Sequence, residues 1–93
     1  MILKWIYKPS GNCPVQAEGH FLGYYFYFRS RWDSARIEFS KTAEDWEENR
    51  IIRRYYLGSF PAAEAGWIST KLAIRLIYKG LLLFLIRWPS DSK

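Results

Sequence analysis

Cys13 and His20 are the one cysteine and the one histidine of this chain, and the only place where a thiol nucleophile and an imidazole base could be combined. A catalytic cysteine needs a neighbour that lowers its pKa. The two residues lie in a turn-like stretch and a strand, and nothing in their spacing brings them together. Structural zinc takes four such ligands, so no metal site is expected either. Glu44, Asp45, Glu47 and Glu48 are the other concentration of reactive groups. Consecutive carboxylates on a helix point around its circumference instead of converging, which makes them a solvated surface. No glycine-rich phosphate loop, Ser/His/Asp set or paired-carboxylate motif is present. The expectation is a protein with no catalytic residue, no cofactor and no metal.

Binding chemistry is better represented. The run from Tyr24 to Trp32, YYFYFRSRW, reads as a strand whose period of two puts Phe26 and Phe28 on one face. Ile37 and Phe39 are their cross-strand company. Tyr25, Tyr27, Arg29 and Arg31, joined by Arg36, fall on the other face and form the expected partner-binding site. Aromatic rings beside guanidinium groups suit the stacking of bases and the neutralising of phosphates, and they are also the residue types enriched at protein interface hot spots. The plain alternative is a solvated strand face with cation–π pairs. A possible secondary site is the basic row Lys71, Arg75 and Lys79 at helical spacing, although such a row is more often just the wet side of an amphipathic helix.

The elements that must position these residues belong to one small domain. Ninety-three residues, 49% hydrophobic and 19% aromatic, allow a single core and exclude the composition of a disordered chain. Five Trp, seven Tyr and six Phe exceed what so small a core covers, so aromatic surface is expected to be left for a partner. A lone cysteine excludes a disulfide-stapled secreted scaffold. Lys8 and Pro9 interrupt the N-terminal apolar run before it reaches the length of a signal sequence, and the expected location is cytoplasmic. The formal net charge of +5 favours acidic partners. The segment from Trp67 to Trp88 is broken by Lys71, Arg75, Lys79 and Arg87 and is too interrupted to span a bilayer. A membrane-surface role through its tryptophans is not expected, because the apolar side of that helix is needed for the core.

Along the chain, strands are predicted over Ile2 to Tyr7, Val15 to His20, Tyr24 to Trp32 and Ala35 to Ser40, with turns at Pro9 to Pro14, Leu22-Gly23 and Asp33-Ser34. Ser40 or Thr42 caps a helix with Glu44 and Asp45 in its first turn and Trp46 as its inward anchor. Residues 51–57 read as helix or strand, with helix favoured and Gly58 as its stop. A short Ala-rich turn runs from Ser59 to Gly66. A second helix over Ile68 to Lys79 is expected to stop at Gly80, because continuing it would turn Leu82, Leu83 and Ile86 toward water; a buried strand over 81–87 follows. The fold expected is α+β, an antiparallel β-meander with two helices packed on one face of the sheet. Residues 1–93 form a single domain with 89–93 as a frayed tail.

Gln16-Ala17-Glu18-Gly19, then Gly23, the run Phe26 to Trp32 and Ile37-Glu38-Phe39 together resemble short accessory proteins of phages and other mobile elements, of the anti-CRISPR, anti-defence kind. The resemblance covers a minority of the chain and transfers no catalytic residue. It implies a non-enzymatic inhibitor, acting in the cytoplasm of a host cell, that binds and occludes a host defence protein complex. Many inhibitors of that kind that resemble nucleic acid are acidic. This chain is basic, which points to direct occlusion of a protein surface, or to binding of guide or target nucleic acid. The alternative reading of the residues themselves is a small basic nucleic-acid-binding module that uses the aromatic and arginine face of the sheet.

Overall fold

From Leu3 to Ser40 the side chains alternate in character with a period of two, and short turn pairs reverse the chain. The result is four successive strands, β1 (Leu3–Ser10), β2 (Val15–Phe21), β3 (Tyr24–Arg31) and β4 (Ser34–Ser40). The computed structural model describes residues 2–11, 14–60 and 68–89. After β4 come a short helix α1 (Ala43–Glu47), a fifth strand β5 (Arg53–Ser59) and a long helix α2 (Thr70–Ile86). The five strands form one sheet in chain order, each antiparallel to its neighbour. This is the α+β meander with two helices that the sequence predicts.

The reversals carry the register. Phe21 pairs with Tyr24, leaving Leu22 and Gly23 as a two-residue loop in which both have positive φ, 52° and 88°. That handedness matches the twist of the flanking strands. Arg31 pairs with Ser34, so the next loop is Trp32-Asp33, one residue earlier than Asp33-Ser34. Ile37 and Phe39 are the cross-strand neighbours of Phe26 and Phe28, as expected; the register pairs Phe26 with Phe39 and Phe28 with Ile37, and all four side chains are fully buried. Burying a Phe or Ile contributes roughly 1.5–3 kcal/mol each.

Two expected elements are replaced. Residues 51–57 do not continue the first helix: Glu48 caps α1, and β5 pairs along the free edge of β4, with Arg53 opposite Phe39 and Ser59 opposite Ser34. A helix there would leave that edge without partners. The β-branched and aromatic residues, which fit a half-buried pleated surface, satisfy it. An irregularity between Ala35 and Arg36 leaves Leu57 without a partner in the β4–β5 register, and Leu57 is buried in the core.

The strand expected over 81–87 is instead the second half of α2. Gly80 does not stop the helix; it lets the helix come close. A Cβ on Gly80 would stand 2.6 Å from Ile37 Cγ2, nearer than two carbons can approach. With that clearance, Ala73, Ile77, Leu81 and Phe84 are buried, and the Phe84 ring stacks on Phe39 at 4.0 Å between centroids. The outward turn of apolar side chains does occur, and Leu82 and Ile86 are 57% and 69% exposed. The Ser69 hydroxyl caps α2 by accepting from the Leu72 N–H at 3.1 Å.

The expectation of both helices on one face holds for α2 alone. α2 covers the face of Phe26, Phe28, Ile37 and Phe39, whereas Trp46 of α1 lies over Tyr25 and Tyr27 on the opposite face. Thr42, not Ser40, supplies the α1 cap, accepting from the Asp45 N–H at 3.0 Å. Pro89 is buried, while 90–93, the Ala-rich turn over 61–66, Trp67 and Cys13 fall outside the described residues.

Candidate partner-binding site

The strand register lays out the face opposite α2 row by row. His20, Tyr25 and Ser40 form one row, Glu18, Tyr27, Glu38 and Arg54 the next, and Gln16, Arg29, Arg36 and Tyr56 the third. Arg31 and the loop residue Trp32 end the face at the tip of the β3–β4 hairpin. All five residues expected at the site do lie on this face. They divide into two chemically different halves.

The first half is closed. Tyr25 and Tyr27 are only 1% and 8% exposed, which corrects the expectation that they offer rings to a partner. The Trp46 ring sits 4.5 Å from that of Tyr27 and 6.0 Å from that of Tyr25. The Tyr25 hydroxyl donates to Glu18 Oε1 at 2.8 Å and that of Tyr27 to Gln16 Oε1 at 2.6 Å. Burial first, and then the Glu18 hydrogen bond, pushes the Tyr25 phenol well above its ordinary pKa. Burial raises Tyr27 as well, against a lowering by Arg29. Tyr7 is pushed up to about 12 by burial and by Glu18. These phenols are therefore neutral donors near neutral pH.

Glu38, 3% exposed, ties this half together. Its Oε1 accepts from Trp46 Nε1 at 2.8 Å and its Oε2 from Arg54 Nε at 2.6 Å. Arg36 Nε lies 3.3 Å from the same Oε2, an ion pair without hydrogen-bond geometry. A buried carboxylate is tolerated only when surrounded in this way. Glu38 is not among the residues expected at the site, although a carboxylate two residues from Arg36 on one strand face is the pattern that signals it.

The second half is open. Arg29, Arg31, Arg36, Trp32, Asp33 and Ser34 line a shallow pocket at the hairpin tip. Three arginines and one carboxylate residue, Asp33, are among these lining residues, and Arg36 is paired with Glu38, which Arg54 shares. Neither Arg29 nor Arg31 has an ion pair within 4.0 Å among the described residues. The Arg31 Nε is buried with no hydrogen-bond partner, and its guanidinium lies over the Trp32 ring at 4.9 Å. Arg29 stands directly opposite Arg36 across the strand pair, a like-charge juxtaposition that costs stability.

Trp32 is the residue that sequence reasoning missed. The alternation makes it the last residue of the strand, yet it occupies the first loop position with φ of 61°. Left-handed backbone costs a residue bearing a Cβ about 1–2 kcal/mol, and glycine is the usual occupant. The ring it holds up is 57% exposed. The signal was the spacing: a loop at 32-33 is what pairs Phe28 with Ile37.

The other sequence candidates do not add chemistry. His20 is exposed and packs edge-on against Tyr25 at 5.9 Å. Among the described residues no group of three or more His, Cys, Asp or Glu could hold a metal ion. Lys71, Arg75 and Lys79 are exposed on α2, on the far side of the sheet. What the hairpin tip can do is accept an anion or an acidic surface, with planar donors for carboxylate or phosphate oxygens and an indole to fill a cleft. No family model matches the chain, and no curated protein or solved structure matches it either.

Proposed function

We propose that the chain is a non-enzymatic binding protein that docks the tip of its β3–β4 hairpin onto an acidic surface of a host protein complex and so blocks it, in the manner of phage-borne inhibitors of the anti-CRISPR kind. One observation carries this reading. Two stability rules are broken in the same hairpin, by Arg29 opposite Arg36 and by a tryptophan at positive φ, and the residues that break them are two half-buried arginines and an exposed indole, all of hot-spot type. Local violations of this sort belong where a site needs them. Arginine and tryptophan are the types in which binding energy concentrates.

The second reading, a nucleic-acid-binding module, draws on the same arginines but loses its stacking platform. Tyr25 and Tyr27 are covered by Trp46, and bases stack only on rings they can reach. Among the described residues the exposed rings beside the arginines are Trp32 at the hairpin tip and Tyr56 opposite Arg36.

Affinity capture from bacterial lysate, with and without nuclease, compares the wild type with an Arg29→Glu/Arg31→Glu variant whose fold is checked by circular dichroism. A stoichiometric complex that survives nuclease and is lost in the variant is expected. Loss of the complex on nuclease treatment, with steeply salt-dependent binding to free oligonucleotides, would favour the second reading. A complex unaffected by the substitutions would remove the hairpin from the site.

A further inference from the structure

We infer that the outward stripe of α2 is a docking surface for an anionic lipid bilayer. The sequence-based expectation against a membrane rested on the apolar side of α2 being consumed by the core, and that holds for one side only. Ala73, Ile77, Gly80, Leu81 and Phe84 face the sheet, while Tyr78, Leu82, Leu85 and Ile86 are exposed on the opposite side. Their spacing puts them on one stripe. Trp88, exposed at the end of the helix, is held by edge contacts with Tyr24 and Phe84 at 5.4 and 5.3 Å. Tyrosine and tryptophan beside aliphatic side chains are the composition of a membrane interface.

Charge selects the occupant. Residues 68–89 contain Lys71, Arg75, Lys79 and Arg87 and no Asp or Glu. The same outward side is thus basic in its first half and apolar in its second. From the rise of a helix, Lys79 stands about 4–5 Å and Arg75 about 10 Å behind Leu82 along the axis, and Lys71 about 16 Å. With Leu82, Leu85 and Ile86 dipped below the headgroups, Arg75 reaches toward the lipid phosphates, the Lys79 ammonium is held back by donating to the Leu57 carbonyl at 3.4 Å, and Lys71 lies beyond the screening length of about 8–10 Å.

A second copy of the chain fits less well. The apolar stripe runs over only about 12 Å of helix, short of the roughly 800 Å² per partner that a stable dimer needs, and two such helices would bring together cations without anions. No described helix is long and apolar enough to cross a membrane; α2 enters the interface tilted, by its C-terminal half.

Co-sedimentation of the full chain with vesicles tests this. Binding to equimolar phosphatidylglycerol/phosphatidylcholine, its absence with phosphatidylcholine alone, and its weakening by high salt are expected. Arg75→Gln should weaken binding about fivefold, and Lys79→Gln, whose ammonium is held by the Leu57 carbonyl, and Lys71→Gln less. Leu82→Gln/Ile86→Gln, which alters only exposed positions, should abolish it while the thermal melt is kept. Failure of the wild type to sediment with anionic vesicles, or sedimentation indifferent to the Leu82/Ile86 substitutions, would overturn the proposal. So would light scattering that shows a dimer dissociated by those same substitutions, which would assign the stripe to a second copy.

Discussion

Replacing Trp32 by glycine and by alanine separates backbone strain from ring contacts, because the two variants lose the same indole. Trp32 holds φ at 61°, and relief of left-handed strain on going to glycine is worth about 1–2 kcal/mol. Against this, glycine gains unfolded-state freedom worth ~0.4–1 kcal/mol, and the exposed cation–π contact with Arg31 at 4.9 Å forfeits a further ~0.5–1 kcal/mol. Trp32→Gly therefore comes out close to neutral. Trp32→Ala keeps the strain and loses the contact, so it should be destabilised by about 0.5–1 kcal/mol. The glycine variant should melt above the alanine variant by roughly 2–8 °C, given ~4–8 °C per kcal/mol for a domain of this size. Thermal unfolding followed by circular dichroism measures the difference directly. If Trp32 anchors the interface, both variants also lose at least ~2 kcal/mol of partner affinity, about thirtyfold. An alanine variant as stable as the glycine variant would refute the strained-loop argument. Full affinity in both would leave the tryptophan without the role that the strain is taken to serve.

Phe26→Ala and Phe28→Ala remove fully buried rings and should each cost about 3–5 kcal/mol in urea denaturation; unchanged midpoints would mean that the two sheet faces have been interchanged. Gly80→Ala would ordinarily stabilise a helix by about 1 kcal/mol. Here the added Cβ meets Ile37 Cγ2 at 2.6 Å, so a net loss of ~1–3 kcal/mol is expected from the same assay, and a gain would show that α2 does not pass so close to the sheet. The Tyr25 phenol, its pKa raised above the ordinary 10.0 by burial and by Glu18, holds its proton longer in the folded chain than in the unfolded one. Its contribution is complete below pH 10 and is lost as pH rises beyond that value. Tyr25→Phe should therefore flatten the alkaline fall in stability, as read from denaturation midpoints over rising pH, and an unchanged fall would count against the buried phenol.

Much of the β-meander could be read from residues alone because its determinants are local. Period-two alternation in YYFYFRSRW and the Leu22-Gly23 reversal decide which side chains share a face, and Phe26, Phe28, Ile37 and Phe39 pair as that alternation requires. The same alternation places Tyr25, Tyr27, Arg29, Arg31 and Arg36 together, since a face is a property of a strand. Whether a face stays open is not. Trp46 comes from another element, and it is the packing of α1 that buries the two tyrosines and leaves the arginines. Residues 51–57 satisfy helix and strand patterns alike, and the unpaired edge of β4, a feature of the assembled sheet, decides for β5. Gly80 shows the limit most plainly. In a sequence it reads as a helix stop, because glycine is the residue least favoured within a helix. In the folded chain its missing side chain is what admits Ile37, so a residue that weakens the helix in isolation is required by the contact between helix and sheet. Composition and alternation determined the class of fold and the chemistry of each face; only tertiary packing, through contacts between residues distant in the chain, decided where α2 ends and which part of the basic face remains open to a partner.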